Sequence, residues 1–277
     1  VFYYFYFSYL DYNTLMDHII KTGTDHLKAS FRNGIITLTL NNPRYKNALS
    51  EKLTPYLRKI LKKIQKDSKY KLMIIRGEGD SFCSGGNIKG MNDNSVSKNK
   101  TSQINNLIKK QDELTGVIYS LKIPTIALIT GAAAGAGFSI ALACDFRIGN
   151  KDSFFVSNYS RIGLSGDYGI SFFLTKLLGE SKAKEIMIFN KRIYSDEAYQ
   201  IGLLNFLFKR NFENNVRKVC EEIVSLSPFA LEKIKKNVKI ATLGNLNTLL
   251  KAEAKSLIEC TYSKEHKEAV KNFIRKK

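Results

Sequence analysis

The stretch from Ile129 to Asp145 carries residues small enough, and ordered suitably, to do chemistry with the main chain. It runs Ile129, Thr130, Gly131, Ala132 to Ala134, Gly135, Ala136, Gly137, Phe138 and Ser139, then an apolar run closing on Cys144 and Asp145. Pro124 opens Thr125 to Ile129, which is short, apolar and β-branched, the pattern of a buried parallel strand. The order is therefore strand, small-residue turn, helix. With nothing larger than alanine from Gly131 to Gly137, a ligand's polar atom can approach the first N–H groups of the helix. Those groups lack intrahelical partners and sit at the positive end of the helix dipole. A second segment of the same kind lies upstream. Leu72 to Arg76 read as a buried strand, Gly77 to Asp80 as a turn, and Ser81, Phe82, Cys83, Ser84, Gly85, Gly86 and Asn87 follow. Two strand ends that converge on one oxygen make an oxyanion hole. Taken singly, each glycine cluster reads more readily as a tight turn or close helix packing than as a site. Neither is a phosphate loop, because no Gly-Lys-Ser/Thr follows and the dinucleotide spacing is absent.

Phe82 to Lys89, and Thr130-Gly131 through Cys144-Asp145, resemble the crotonase superfamily, the enoyl-CoA hydratases and isomerases. Asn42-Pro43 with Asn47-Ala48-Leu49, and the run Gly163 to Gly169, support the resemblance, which spans roughly Leu27 to the C-terminus. It implies an α/β fold of repeated ββα units wound into a spiral, followed by a C-terminal all-helical region that builds a homotrimer, often paired into a hexamer. It also implies an acyl-CoA thioester as substrate, with the N–H groups of Ser84 and Ala136 on the thioester oxygen. Gly85, Gly86, Asn87, Ile88, Gly135, Ser139 and Tyr159 would border the same site. Lys46 falls where relatives keep a basic residue near the CoA phosphates, and Phe273 and Lys276 match positions that reach a neighbouring subunit's CoA. No metal and no separate cofactor is implied, since coenzyme A arrives as part of the substrate.

Which reaction follows depends on the acid and base groups, because one scaffold hosts many chemistries. A hydratase of this family needs two glutamates to position and deprotonate water. The matching positions hold Ser139 and Tyr159, and neither is a good base near neutral pH. Asp167, in Gly163 to Gly169, matches the aspartate of family members that shift double bonds. The resemblance thus implies an enoyl-CoA isomerase in which Asp167 takes a proton from one acyl carbon and returns it to another. The plain alternative for Asp167 is a helix cap near Gly169-Ile170. Other readings are a hydratase-type lyase with atypical residues, an acyl-CoA binder without turnover, and an RNA-binding homologue. A dehalogenase-like use of Asp167 as nucleophile would call for tryptophan and histidine. The chain has no Trp, and its His18, His26 and His266 lie outside every motif.

The elements that must position these groups divide the chain into an N-terminal extension (1–26), a spiral core (27–210) and a helical C-terminal region (211–277). Val1 to Leu10 are nearly all aromatic without a basic flank or cleavage signal, a poor fit to a secretory signal. Leu27 to Phe31 and Ile35 to Leu40 alternate around Asn33-Gly34, a hairpin signal. Ser50 reads as the N-cap of a helix through Lys66. Ile104 to Leu121 read as one amphipathic helix, with Leu107, Gln111 and Leu114 on an inner face that is expected to pack in the core, the alternative being that it borders the substrate. Strands alternating with helices continue to Phe208, and helices alone follow. With 44 Lys+Arg against 25 Asp+Glu the net charge is +19. The basic residues are mostly lysines spread along helices, so a phosphate-bearing substrate is favoured over nucleic acid. No apolar run reaches the ~18 residues of a membrane span. Four scattered cysteines without metal spacing suit a reduced, cytoplasmic setting.

Overall fold

The computed structural model describes residues 17–86 and 99–275. Asn33 and Gly34 both take positive φ (49° and 83°), as a two-residue hairpin turn requires, and join β2 (Leu27–Arg32) to β3 (Ile35–Leu40). The end of the N-terminal extension also pairs: β1 (His18–Ile19) adds an antiparallel edge to β2. From here the chain lays strands alternately in two sheets. β4 (Leu72–Gly77), β6 (Thr125–Ile129) and β8 (Phe146–Gly149) enter a seven-stranded sheet of order β1-β2-β3-β4-β6-β8-β11. β5 (Ser81–Cys83), β7 (Ala132–Ala134) and β9 (Phe154–Val156) enter a four-stranded sheet of order β10-β9-β7-β5, with β10 spanning Ile193–Tyr194 and β11 Phe206–Leu207. Pairing between successive repeats is parallel in both sheets. This is the ββα spiral that the resemblance implied.

Period-two patterning decides what each face buries. On β4, Met73 and Ile75 point into the main core with Phe82, Phe138 and Phe155, whereas Leu72 and Ile74 meet Val216 and Cys220 of α8 (Phe212–Ser225). Three boundaries depart from expectation. The first helix, α1, spans Thr54–Ile64, so Ser50 is not its N-cap; Pro55 in the first turn sets the start, and the Ser50 hydroxyl has no partner among the described residues. Ala132 to Ala134 form a strand rather than a turn. The chain crosses from one sheet to the other at Thr130-Gly131, where a Cβ on Gly131 would lie 1.8 Å from the Asp80 carbonyl oxygen. The helix expected over Ile104 to Leu121 is α2 (Lys100–Gln111), a π-helical turn (Asp112–Gly116) and α3 (Val117–Ser120).

One buried cation ties the spiral's last turn together. Arg147 is 4 % exposed and donates to the carbonyls of Leu203 (2.6 Å) and Cys144 (2.9 Å) and to Asn205 Oδ1 (2.9 Å). Arg147→Met strands these acceptors in the interior. We expect a loss of about 3 kcal/mol of unfolding free energy, read from urea melts.

In the helical region, α9 (Pro228–Leu243) docks through Lys235 Nζ, which donates to Asp145 Oδ2 at 2.6 Å and to the Ile123 carbonyl at 2.7 Å. α10 (Leu246–Thr261) and α11 (Lys264–Arg275) follow and leave Leu250, Leu257, Ile258 and Ile274 exposed. Among the described residues no helix is long and apolar enough to cross a membrane.

Candidate active site

The two glycine-containing turns meet at the mouth of the spiral. Gly137, in the first turn of α4 (Ala136–Ala143), packs so tightly on β5 that a Cβ would lie 2.2 Å from the Cys83 carbonyl oxygen. Gly85, at φ 90°, lies against the other side of the turn, where its Cβ would fall 2.8 Å from the Ala134 carbonyl oxygen and 3.2 Å from the Ala136 nitrogen. Only glycine fits at such a combination of positive φ and close backbone approach.

The hydrogen bonds decide which amides remain free. The Ser84 N–H donates to the Lys46 carbonyl at 2.9 Å, so the expected use of Ser84 as an oxyanion donor does not hold. The Gly85 carbonyl accepts the Leu49 N–H at 2.8 Å through an isolated parallel bridge. In a trans peptide the C=O and the following N–H point opposite ways, so the Gly86 N–H points away from Leu49. The Gly135 carbonyl, at the start of α4, accepts the Ser139 N–H at 3.1 Å, which leaves the Ala136 N–H projecting from the helix N-terminus. Among the described residues neither the Gly86 nor the Ala136 N–H has a partner. The pair is Gly86 with Ala136.

Three polar positions singled out in the sequence come together beside this pair. Tyr159, buried, donates its phenol to Asp167 Oδ1 at 2.5 Å. Ser139, fully buried on α4, donates to the Asp167 carbonyl at 3.1 Å, so its hydroxyl supports the aspartate and is not a substrate-facing group. The Tyr159 ring is 3.9 Å from where a Cβ of Gly135 would stand, which places the dyad beside the α4 N-terminus. Burial pushes the Asp167 carboxyl above the usual carboxylate range, and the Tyr159 hydrogen bond pulls it partly back. Burial, then the neighbouring Asp167 charge, pushes the Tyr159 phenol well above its ordinary value. The phenol thus stays a donor while Asp167 titrates. Asp167 is no helix cap: its side chain takes the phenol, and Gly169 precedes α5 (Ile170–Leu178) without a side-chain cap.

Removing the phenol isolates the two opposing effects on Asp167. In Tyr159→Phe burial remains and the stabilising donor is lost, so the carboxyl moves further up. The Asp167 carboxyl, followed by carbon NMR, then titrates at higher pH than in the unmodified protein. An unmoved or lowered titration would contradict this assignment.

The other expected residues spread out. Lys46 is exposed at φ 49°, and its carbonyl, rather than its ammonium, engages the site turn. Asn87, Ile88 and Lys276 lie outside the described residues; Phe273 stands on α11, 67 % exposed. Sequence reasoning missed Asn47, fully buried, whose amide donates to the carbonyls of Glu78 (2.9 Å) and Ser81 (2.7 Å) and so braces the turn leading to Gly86. It also read Gln111 as core packing, whereas Gln111 Oε1 accepts the Tyr168 N–H at 2.6 Å, one residue beyond Asp167. Cys83, directly beneath the turn, is no nucleophile, since burial pushes its thiol up to about 12. An apolar cavity of about 760 Å³ lies elsewhere, between α9 and the Tyr119, Phe172 and Phe173 rings. Among the described residues no cluster of His, Cys, Asp and Glu could hold a metal.

The family model for enoyl-CoA hydratase/isomerase matches residues 30–277. The chain belongs to the enoyl-CoA hydratase/isomerase family. Relatives in this family differ in their reactions. The chain is 28% identical over 246 residues to the short-chain-enoyl-CoA hydratase of Clostridium acetobutylicum, covering 88% of this chain and 92% of that protein. It is 24% identical over 247 residues to the 1,2-epoxyphenylacetyl-CoA isomerase of Escherichia coli (strain K12), covering 88% and 93%. Its fold matches the crystal structure of an enoyl-CoA hydratase from Polaromonas sp. JS666, with TM-score 0.84, 28% identity and 91% and 97% of the two chains covered.

Proposed function

We propose that this family member is an enoyl-CoA double-bond isomerase. The single observation that carries the reading is the Tyr159–Asp167 dyad beside two amides unpartnered among the described residues, with a serine and a tyrosine where a hydratase would place its glutamates. The Gly86 and Ala136 N–H groups hold the thioester oxygen, and their dipoles favour the enolate over the ground-state carbonyl. Asp167, ionised, removes a proton from one acyl carbon. Tyr159 fixes Oδ1, leaving Oδ2 to move the proton. The enolate delocalises along the conjugated acyl chain, and the same carboxylic acid delivers the proton at the other end. The raised carboxyl brings Asp167 nearer the range useful for both steps.

The substrate is an acyl-CoA thioester, and its phosphates suit a chain of net charge +19. The exposed apolar residues of α10 and α11 would be covered by further copies in a trimer or hexamer. Four cysteines unpaired in disulfides fit a reduced, cytoplasmic setting. The test is direct: the purified protein, given a 3-enoyl-CoA, forms the conjugated 2-enoyl-CoA, and given the 2-enoyl-CoA in water forms little 3-hydroxyacyl-CoA. Dominant hydration would sink the isomerase reading.

A further inference from the structure

The Asp167 carboxylate is aimed by a peptide unit that is held from both sides. On the carbonyl side, Ser139 Oγ donates to the Asp167 oxygen at 3.1 Å. On the amide side, the Tyr168 N–H donates to Gln111 Oε1 at 2.6 Å. Between them Tyr168 takes φ 51°, a left-handed conformation that a bulky aromatic residue rarely adopts, flanked by Gly166 (φ 109°) and Gly169 (φ 80°). Such a conformation persists where its surroundings over-determine it.

Gln111 sits on a junction built to stay put. It is the last residue of α2, directly before the π-helical turn Asp112–Gly116, a wide turn of the kind that recurs at functional sites. Its neighbours pin that junction to the core and to α1. Leu114 and Thr115 are buried, Glu113 pairs with Lys62 at 2.6 Å, and Lys110 pairs with Glu51 at 3.2 Å. A side chain needed only for packing would be apolar here; an amide oxygen at 2.6 Å from one main-chain N–H is a directional contact.

We propose that Gln111 is a positioning residue for Asp167: by gripping the Tyr168 N–H while Ser139 grips the Asp167 carbonyl, it sets the direction from which the carboxylate meets the acyl chain. The inference rests on the proton-shuttle reading of Asp167 for its kinetic effect, but not for its effect on the carboxyl itself. The ionisable groups facing Asp167 are the Tyr159 and Tyr168 phenols, with Arg58 and Glu51 acting on Tyr168.

The test compares Gln111→Met, which keeps the length and removes the acceptor, with Gln111→Glu, which keeps an acceptor oxygen. Each is assayed for 3-enoyl-CoA isomerisation, and the Asp167 carboxyl is titrated by carbon NMR in the wild type and in Gln111→Met. Misaiming a catalytic group by about 1 Å lowers turnover roughly 100-fold, so Gln111→Met should lose about 10- to 100-fold in kcat with KM within about twofold. Gln111→Glu should restore most of that loss. In Gln111→Met the Asp167 titration should move toward the ordinary carboxylate range as the loop admits water. The proposal is overturned if Gln111→Met keeps the wild-type kcat and the wild-type Asp167 titration, if the loss falls on KM, or if Gln111→Glu is as impaired as Gln111→Met. Should Asp167→Asn turn over like the wild type, the shuttle reading fails by itself, and the Asp167 titration in Gln111→Met still decides whether Gln111 aims the carboxyl.

Discussion

Asp167→Asn should lower kcat for 3-enoyl-CoA isomerisation by about 10²- to 10⁴-fold, the range that general acid–base groups supply, and leave acyl-CoA binding nearly intact. The amide keeps an oxygen for the Tyr159 phenol, so the 2.5 Å contact and the loop around it survive. What disappears is the ability to accept and return a proton. The same variant carries a second signature that needs no substrate. The folded Asp167 carboxyl titrates above its unfolded range, because burial opposes its charge. Below the unfolded range both states are protonated, and the wild type bears no penalty. As pH rises through the folded value, the wild type must ionise a half-buried carboxyl and loses stability; the asparagine does not. Asp167→Asn should therefore melt above the wild type at about pH 8, and the gap should close on acidification. A gain in stability with a loss of turnover is the mark of a residue placed for chemistry. Unchanged turnover would remove Asp167 from the mechanism.

The sequence made the scaffold readable where local chemistry and periodicity agree. Asn33-Gly34 announced its hairpin because both residues tolerate positive φ, and Thr125 to Ile129 announced a buried strand because they are apolar on both faces. The identity of the free amide was not readable. Ser84 and Gly86 lie past the end of β5 with Gly85 at φ 90° between them, so which N–H stays free depends on what lies beside each. That is settled by Leu49 bridging to Gly85 and by the Lys46 carbonyl reaching Ser84, contacts made by a distant loop. Ala136 was readable because a helix N-terminus leaves its first N–H unpaired wherever the helix lies. Asp167 was likewise visible in its glycine-rich run, but its handlers were not: Gln111 reaches the adjoining Tyr168 N–H from across the fold, and its place depends on a π-helical turn that no apolar spacing signals. Ser139 and Tyr159 were found for their positions, and their roles appeared only in the geometry, where both serve Asp167.

Ala136→Pro tests the other half of the site with a substitution that the fold itself tolerates. Ala136 is the first residue of α4, where proline's fixed φ suits the helix and the missing N–H breaks no helical bond. The change removes one oxyanion donor, and loss of a single such donor costs about 10²- to 10³-fold in kcat, or about 3–4 kcal/mol of transition-state stabilisation. Melting should stay within a few degrees of the wild type, and Ala136→Gly, which retains the N–H, should keep most of the rate. On the proposed mechanism the two halves of the site act on one enolate. A double variant, Ala136→Pro with Asp167→Asn, should therefore lose less than the product of the single losses, since either change alone already blocks the step the other serves. Fully multiplicative losses would mean that the amides and the carboxylate act on separate steps, and a folded Ala136→Pro protein with the wild-type rate would mean that this amide holds no developing charge.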